Sequence, residues 1–457
     1  MYPLTISFRD QLGSIPLRNI LWAERVGDKI TIDFALSATK HQLRASSITV
    51  VPNSSDPHHI DIWIESMMDR AYGLAKRQKR ATVLINPHSG QGDALKVWKQ
   101  VEPLFRAARL SLNVTVTKCA GEALLIARSA NIEGFDTFIA CSGDGLPYEI
   151  FNGLGERPDA RTSLRKIAVS QIPCATGNAM ACNLYGSNYP TIAALGIIKG
   201  VDTAIDLASV TQGDNRKLSF LSQSYGMLAE VDIDTENLRW MGALRFQLGV
   251  LKMILKKKAY PCDIDLKVEL DDKAAIRAAF QNFSVSDTPN GEHLAGGSTV
   301  AVKTLPDGDY NHLQGLPPLK YGTPDDNLPE DGWTKINYDN LGSLYCGKMT
   351  YAAAHTNFFP ASLPNDGFLD LITVNCDLPL QSLLELWSKV GDKSTLYDDP
   401  NVKYYKVAAF RITPRDQKGG FISIDGEAFP FGPIQVEVHP GLGKVYTLQG
   451  KYEAPGL

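Results

Sequence analysis

From residue 81 onward, short apolar strands alternate with helical segments, and this alternation restricts the chain to few architectures. A strand of the buried type is predicted over residues 81–85, further strands over residues 112–117, 135–141 and 167–172, and helices over residues 94–110, 122–131, 146–154 and from residue 179. Parallel strands require crossover connections of this length, and the crossover helices cover both faces of the sheet. The sequence therefore predicts a doubly wound α/β domain over residues 80–202.

The remainder of the chain has a sequence pattern typical of β structure. Short strands separated by turn residues are predicted over residues 204–210, 218–224, 263–270, 349–354, 369–374, 405–412, 421–424 and 434–439. This spacing predicts an antiparallel β-sandwich domain over residues 203–457. Residues 284–331, rich in Gly, Pro, Asp and Asn, are predicted to be a flexible insertion in it. Residues 1–76 predict a small β-rich extension that ends in an amphipathic helix over residues 60–75.

Composition excludes several classes of protein. A net charge of −4 and a pI near 6.1 argue against a nucleic-acid binder, which normally carries a basic surplus. No apolar run approaches the roughly 18 residues of a membrane span. The seven cysteines are scattered without a C-x-x-C pair, which argues against a zinc site or a disulfide framework and favours a reducing compartment. We therefore expect a soluble, cytoplasmic protein.

Three predicted strands of the α/β domain are followed by glycine-containing loops. The loops read Asn86-Pro87-His88-Ser89-Gly90-Gln91-Gly92-Asp93, Ser142-Gly143-Asp144-Gly145 and Thr176-Gly177-Asn178. In an open parallel sheet, such loops share one crevice beyond the carboxyl ends of the strands. Glycines let backbone amides approach an anion, and the helices that follow add partial positive charge. Three loops in register favour phosphate binding over simple tight turns.

Asp144 is the unusual residue of the second loop. A carboxylate placed against bound phosphates needs compensation by a metal ion or by a proton to accept, and a general base toward a substrate hydroxyl is one such role. An Asp that caps the helix beginning at Gly145 fits the spacing equally well. The spacing alone leaves both roles open.

The second loop and its helix resemble a known signature. Ser142 to Leu154, SGDGLPYEIFNGL, resembles the SGDGLxxEVxNGL motif of sphingosine kinases, within the wider superfamily of diacylglycerol-kinase-type catalytic domains. Leu84-Ile85-Asn86-Pro87 and the segment Pro173 to Ala179 resemble the family's other two nucleotide loops. Tyr225 to Asp232, Arg239, Arg245-Phe246 and Asp425-Gly426-Glu427 resemble its downstream motifs. The extension at Asn19 to Glu24 resembles that of fungal long-chain-base kinases.

The resemblance implies a lipid kinase that uses ATP and Mg²⁺, with Asp144 deprotonating the primary hydroxyl of a sphingoid base. It assigns nucleotide binding to these residues: Asn86, Pro87, Ser89, Gly90, Thr117, Ser142, Gly143, Gly145, Thr176, Gly177, Asn178, Arg239, Arg245, Asp425, Gly426 and Glu427. It assigns the lipid head group to Asp232, helped by Ser222. A cap of the helix that follows is the alternative for Asp232, and exposed helix positions are the alternative for the two arginines.

Two other functions remain open at this point. A diacylglycerol or ceramide kinase of the same superfamily would act on a lipid that lacks a free amine. The first loop has Gln91 and Asp93 where the family commonly has GGKG, so a lipid-binding pseudokinase with weakened ATP affinity is the other alternative. Residues 242–260 combine leucines with Lys256, Lys257 and Lys258, which suits a lid with peripheral membrane contact or ordinary core packing. A homodimer is left open.

Overall fold

A computed structural model describes residues 5–7, 14–52, 56–235, 243–286, 314–329, 331–391, 395–417 and 419–457. In this part of the chain, a small β-rich extension precedes an α/β domain, and a large antiparallel β domain follows. The predicted fold class is confirmed. None of the helices in these ranges is both long and apolar enough to cross a membrane.

The N-terminal extension is a small sheet backed by one helix. Its elements are β1 (Thr5–Ser7), β2 (Ser14–Pro16), a 3-10 turn (Leu17–Asn19), β3 (Ile20–Val26), β4 (Lys29–Thr39), β5 (Gln42–Val50) and α1 (Pro57–Tyr72). Strands β3, β4 and β5 form one antiparallel sheet. Helix α1 begins where the Asp56 carboxylate accepts the amide of His58 at 3.0 Å, and it ends at Gly73, which has a φ of 55°.

The ammonium group of Lys199 fastens this extension to the α/β domain. It donates to the carbonyl oxygen of Ala71 at 3.1 Å and to that of Ile20, and it lies 3.3 Å from the ring centroid of Tyr72. Burial lowers the pKa of Lys199 well below its usual value. One lysine at the end of a helix of the α/β domain thus holds both the sheet and the helix of the extension.

The α/β domain has four parallel strands and six helices in the described residues. They are β6 (Arg80–Ile85), α2 (Ala94–Ala107), β7 (Ser111–Val116), α3 (Glu122–Ser129), β8 (Thr137–Ser142), α4 (Gly145–Gly155), α5 (Ala160–Lys166), β9 (Ala168–Pro173), α6 (Ala179–Tyr185) and α7 (Pro190–Lys199). The strand order is β7-β6-β8-β9. The chain reverses direction across the sheet between β6 and β8, the position at which open α/β sheets bind ligands.

The β domain is built on an eleven-stranded antiparallel sheet. Its elements are β10 (Val201–Gln212), β11 (Asn215–Ser219), β12 (Ser222–Gly226), α8 (Met227–Asp234), α9 (Ala243–Lys256), β13 (Cys262–Leu270), α10 (Lys273–Ser286), β14 (Thr334–Tyr338), β15 (Leu341–Gly347), β16 (Tyr351–Ala353), β17 (Thr356–Asn357), β18 (Leu369–Asn375), α11 (Leu380–Ser388), a 3-10 turn (Leu396–Asp398), β19 (Lys403–Pro414), β20 (Ile422–Ile424), β21 (Glu427–Phe429) and β22 (Ile434–Thr447). The order is β11-β10-β22-β19-β18-β15-β12-β20-β21, and β13 and β14 branch from β19.

The predicted insertion behaves differently at its two ends. Residues 273–286 form α10, residues 287–313 lie outside the described residues, and residues 314–329 run along the β domain. The buried carboxylate of Glu437 accepts the amides of Lys320 and Tyr321, each at 3.0 Å. Arg411 donates to the carbonyl oxygens of Asp326 and Thr323. The composition of residues 284–331 predicts a flexible segment. These hydrogen bonds instead attach the part around residues 320–326 to the β domain.

A buried network of charges joins the strands of the β domain. The Lys348 ammonium lies 2.7 Å from an Asp206 carboxylate oxygen and also pairs with Asp366. The Lys406 ammonium lies 2.8 Å from Asp366 and 2.9 Å from Asp370. All five side chains are at most 7% exposed, so each charge depends on its partners rather than on water.

We predict that Lys348→Met lowers the free energy of unfolding by about 3–5 kcal/mol, because it leaves the carboxylates of Asp206 and Asp366 short of a positive charge in the interior. The matched control is Lys444→Met, whose ammonium pairs with a well-exposed Asp202 at 3.0 Å and is worth about 0–1 kcal/mol. Urea denaturation followed by circular dichroism checks this difference. Equal losses in the two variants would contradict it.

Candidate active site

The three glycine-containing loops meet at one edge of the parallel sheet, as the sequence predicts. They follow the carboxyl ends of β6, β8 and β9, which are neighbours in register. The Ser89 hydroxyl accepts the amide of Gly143 at 2.9 Å, which joins the first loop to the second. The loops therefore form one continuous surface at the switch point of the sheet.

Gly90 and Gly143 allow the loops to approach each other closely. A Cβ atom on Gly90 would lie 2.2 Å from the carbonyl oxygen of Cys174, and Gly90 has a φ of 61°. A Cβ atom on Gly143 would lie 2.8 Å from the Cβ of Ala175. Gly90 itself is exposed, as is Thr176 of the third loop, so both face the space where a ligand would bind. Glycine is thus required at two contacts between loops.

Asp144 is held by β9 and by the start of α6 rather than by its own helix. Its carboxylate accepts the amides of Ala179 and Met180, at 2.9 and 3.0 Å, and the side-chain amide of Gln171 at 3.3 Å. It makes no capping hydrogen bond to α4, whose first residue is Gly145. Burial raises the pKa of Asp144, and the three donors oppose that rise. Asp144 therefore does not cap its own helix, and a fixed carboxylate with a raised pKa suits a proton acceptor.

Several predicted nucleotide-binding residues shape the loops from within. The Asn86 side-chain oxygen accepts the amide of His88 at 3.0 Å, and that of Asn178 accepts the amide of Ala175 at 3.0 Å. The Thr117 hydroxyl donates to the carbonyl oxygen of Ile85 at 3.2 Å, and that of Ser142 to the carbonyl oxygen of Gly143 at 2.7 Å. Pro87 and Gly177 are half-buried in the same loops.

The hairpin of β20 and β21 brings Asp425, Gly426 and Glu427 to the same edge. The Asp425 carboxylate is buried and accepts the amides of Phe220, Leu221 and Ser222 between 2.8 and 3.1 Å, so it points into the protein. Burial raises the pKa of Asp425 to about 6. The exposed Glu427 is oriented differently: a Cβ atom on Gly145 would lie 3.3 Å from a Glu427 carboxylate oxygen. Glu427 thus lies at the first residue of α4.

The predicted head-group residues lie on the β-domain side of this edge. Asp232 is in the last turn of α8, not at its start, so it is not the N-cap of that helix, and its carboxylate accepts the Ser423 hydroxyl at 2.7 Å. The Tyr345 hydroxyl donates to the Ser222 hydroxyl at 3.3 Å. Burial raises the pKa of Tyr345, and the carboxylates of Asp232, Asp425 and Asp144 raise it further. Through Ser224, Tyr345 is paired across the sheet with Ser423, the hydrogen-bond partner of Asp232.

Tyr345 lines an apolar cavity of about 80 Å³. This volume is smaller than the range of about 300–1,000 Å³ that is typical of ligand pockets. Met227 and Leu228 of α8, Met253 and Ile254 of α9, and Leu386 and Trp387 of α11 line it above the strands of the sheet. Helix α8 thus both lines the cavity and carries Asp232.

Helix α9 has two apolar faces. Val250, Met253 and Ile254 are buried against the β domain, whereas Leu251 is 43% exposed and Leu255 is 61% exposed. From the sequence, this segment could be either a lid or a part of the core. In the structure, the helix has an inward face that packs in the core and an outward apolar face. Arg245 is in this helix but its side chain is not described, and Arg239 lies outside the described residues.

Five residues that shape the site were not predicted from the sequence. Gln171 and Ser423 orient Asp144 and Asp232, Tyr345 contacts Ser222, and no motif marks these three. Glu149 and Asn152 belong to the recognised motif, so their spacing was a usable signal. The Glu149 carboxylate accepts the amides of Gly121 and Ala123 at the start of α3. The Asn152 side chain exchanges two hydrogen bonds of 2.9 Å with the backbone of Leu218, which joins α4 to the β domain.

Comparison with known proteins identifies relatives of this arrangement. The Diacylglycerol kinase catalytic domain family matches residues 80–210, and a domain of unknown function, DUF7493, matches residues 2–73. Sphingoid long chain base kinase 4 of Schizosaccharomyces pombe is 31% identical, over 94% of this chain and 87% of its own length. Sphingoid long chain base kinase 5 of Saccharomyces cerevisiae is 35% identical over 88% of this chain, which spans 64% of that relative.

More distant relatives extend the likeness. Human sphingosine kinase 1 is 28% identical over 84% of this chain and 94% of its own length. A crystal structure of a diacylglycerol kinase from Bacillus anthracis matches 82% of this chain and 98% of its own, with a TM-score of 0.54 at 18% identity. At that identity the structural likeness concerns the fold alone.

We predict that Gly90→Ala weakens ATP binding at least tenfold, because the added Cβ would collide with the carbonyl oxygen of Cys174 and separate the first and third loops. Gly73→Ala is the matched control, since Gly73 also has a positive φ, of 55°, but an added Cβ would meet nothing within 4 Å. Equilibrium binding of a fluorescent ATP analogue measures the effect. The same affinity in both variants would contradict the prediction.

Proposed function

Because the chain belongs to the sphingoid long-chain-base kinase family, we propose that it transfers the γ-phosphate of ATP to the primary hydroxyl of a sphingoid long-chain base. The observation that carries the proposal is that α8 lines the apolar cavity with Met227 and Leu228 and carries the Asp232 carboxylate in its last turn. A long apolar tail and a cationic amine match this pair, and the loops that hold Asp144 would receive the nucleophilic hydroxyl.

The cavity would supply most of the binding free energy. Burial of about fifteen methylene groups at ~0.8 kcal/mol each is worth roughly 12 kcal/mol before the costs of ordering and association are subtracted. The cavity itself has a volume of about 80 Å³, so helices α8, α9 and α11, which line it, would move apart to admit a chain of this length. Since any acyl chain gains in the same way, the tail provides affinity but discriminates poorly between classes of lipid.

The head group would decide which lipid is accepted. The Asp232 carboxylate, whose orientation is fixed by the Ser423 hydroxyl, would bind the protonated amine of a sphingoid base. A hydrogen bond to a charged group is worth about 1.5–3 kcal/mol. Diacylglycerol has no nitrogen and the nitrogen of ceramide is acylated, so neither lipid carries a positive charge. Neither therefore offsets the free-energy cost of removing water from this carboxylate. Asp232 therefore favours the sphingoid base over both alternatives.

Asp144 would act as the general base. The lipid hydroxyl passes its proton to the Asp144 carboxylate as its oxygen forms a bond to the γ-phosphorus, and the bond from that phosphorus to the bridging oxygen breaks, which releases ADP. The amides of Ala179 and Met180 and the side chain of Gln171 fix the carboxylate so that it needs no rearrangement during transfer. Its raised pKa favours uptake of the proton.

The nucleotide would bind across the three loops. Their exposed backbone and the N-terminus of α4 provide amides and partial positive charge for the phosphates. Mg²⁺ usually binds through one or two carboxylates together with substrate phosphates, and Glu427 at the first residue of α4 is the carboxylate that fits this role. Bound in this way, Mg²⁺ would neutralise charge on the phosphates. No cluster of three potential metal ligands occurs in the described residues.

We further propose that the protein is cytoplasmic and that it binds peripherally to membranes, in which its substrate resides, through α9 and α11. Leu248, Leu251 and Leu255 of α9 and Leu380 and Leu384 of α11 are each 39–61% exposed around the cavity. Lys256 and Lys257 at the end of α9 are exposed as well. Exposed leucines beside lysines suit the surface of a bilayer that contains anionic lipids.

We predict that Asp144→Asn lowers kcat by about 10²–10⁴-fold, the usual contribution of a general base, and leaves binding of the sphingoid base intact. Asp232→Asn should instead raise the KM for the base about ten- to a hundredfold, because it removes a charged partner of the amine. Transfer of radiolabelled γ-phosphate at saturating ATP separates the two effects. Full activity of Asp144→Asn would disprove the assignment of the base.

For the membrane surface, we predict that the double variant Leu251→Glu/Leu255→Glu loses more than tenfold in affinity for vesicles of phosphatidylcholine with phosphatidylserine, since two leucines no longer insert. Leu74→Glu is the control, because Leu74 is 95% exposed on the N-terminal extension, far along the chain from α9. Vesicle sedimentation measures both. Unchanged binding of the double variant would contradict the proposal.

A further inference from the structure

One hydroxyl group lining the cavity has no hydrogen-bond partner among the described residues. Ser343 on β15 is 6% exposed, and its Oγ is a buried polar atom without a partner. Ser343 lines the same cavity as Tyr345. Buried hydroxyls in proteins nearly always form hydrogen bonds, so an unpaired one inside a binding cavity calls for a ligand with a polar group at that place.

The sheet fixes the position of Ser343 relative to the head-group residues. Ser423, Ser224 and Tyr345 are directly paired across β20, β12 and β15, so they form one row on one face of the sheet. The Ser423 hydroxyl contacts Asp232, so this row is where the amine would bind. Ser343 lies on the same face, two residues along β15, about 6.8 Å from that row.

The next row is formed by Gly226, Ser343 and Val374, which are paired across β12, β15 and β18. Gly226 offers no side chain and Val374 is apolar, so Ser343 is the sole hydrogen-bonding side chain of that row among these three strands. Helix α8 follows Gly226 directly and runs back over the sheet to Asp232. A lipid that extends from Asp232 into the cavity therefore passes Ser343 with the first carbons of its chain.

We propose that Ser343 forms a polar subsite for a hydroxyl on the chain of the substrate, so that the cavity prefers 4-hydroxysphinganine to sphinganine; this inference rests on the proposed function. Carbon 4 is two bonds beyond the carbon that carries the amine. A hydroxyl on carbon 4 would form a hydrogen bond of about 2.8 Å with the Ser343 hydroxyl. The two bonds from the amine carbon to carbon 4 and this hydrogen bond together span the distance between the row of Tyr345 and the row of Ser343. Sphinganine offers only C–H groups at this place and leaves the Ser343 hydroxyl unpaired.

The ratio of kcat/KM for 4-hydroxysphinganine to that for sphinganine tests this proposal. The wild-type protein should favour 4-hydroxysphinganine, and Ser343→Ala should lower the ratio about 3- to 10-fold, the effect of one neutral hydrogen bond. Ser362→Ala is the matched control. Its hydroxyl is also buried without a partner among the described residues, and it does not line the cavity. It should leave the ratio unchanged.

A ratio that does not change in Ser343→Ala, or activity that falls equally for both bases, would overturn the subsite. Binding of the two radiolabelled bases without ATP separates this failure from failure of the proposed function. If Ser343→Ala changes the selectivity of binding but neither base is phosphorylated, the subsite stands and the kinase assignment fails. If both bases are phosphorylated with an unchanged ratio, the kinase assignment stands and the subsite fails.

Discussion

The hydrogen bonds from the start of α6 to the Asp144 carboxylate hold the candidate site together. They attach a residue of the second loop to the amides of Ala179 and Met180, just beyond the third. Ser89 attaches the first loop to the second through the amide of Gly143. The proton acceptor and the three surfaces that would bind the nucleotide therefore form one rigid unit, in which a carboxylate replaces water as the partner of two amides.

In the proposed reaction the β domain presents the lipid to this unit, and two contacts align the two domains. Asn152 of α4 binds the backbone of Leu218, and the amide of Ala354 donates to the carbonyl oxygen of Gly177 at 2.9 Å. The Asp425 carboxylate is surrounded by the amides of residues 220–222, which positions the hairpin that carries Glu427. Asp425 would thus act on the proposed nucleotide site by orienting its neighbours rather than by direct contact.

The sequence predicts the architecture and the loops well because their signals are local. Apolar periodicity defines the strands of the sheet, and glycines after β6, β8 and β9 indicate the crevice. The orientation of side chains is a tertiary property. The motif that contains Asp425 gives no sign that its carboxylate points inward, and Gln171, Tyr345 and Ser423 come from strands without a motif. Burial and strand pairing, which no local pattern encodes, bring them to Asp144, Ser222 and Asp232, respectively.

The central claim is that the apolar cavity delivers a lipid with a free amine to Asp144 through the carboxylate of Asp232. Phosphate transfer from radiolabelled ATP with Mg²⁺, measured side by side on a sphingoid base, ceramide and diacylglycerol, tests it most directly. We predict transfer to the sphingoid base, with a kcat/KM at least tenfold above that of either other lipid. Transfer to ceramide or diacylglycerol at the same kcat/KM would contradict the role of the head-group carboxylate.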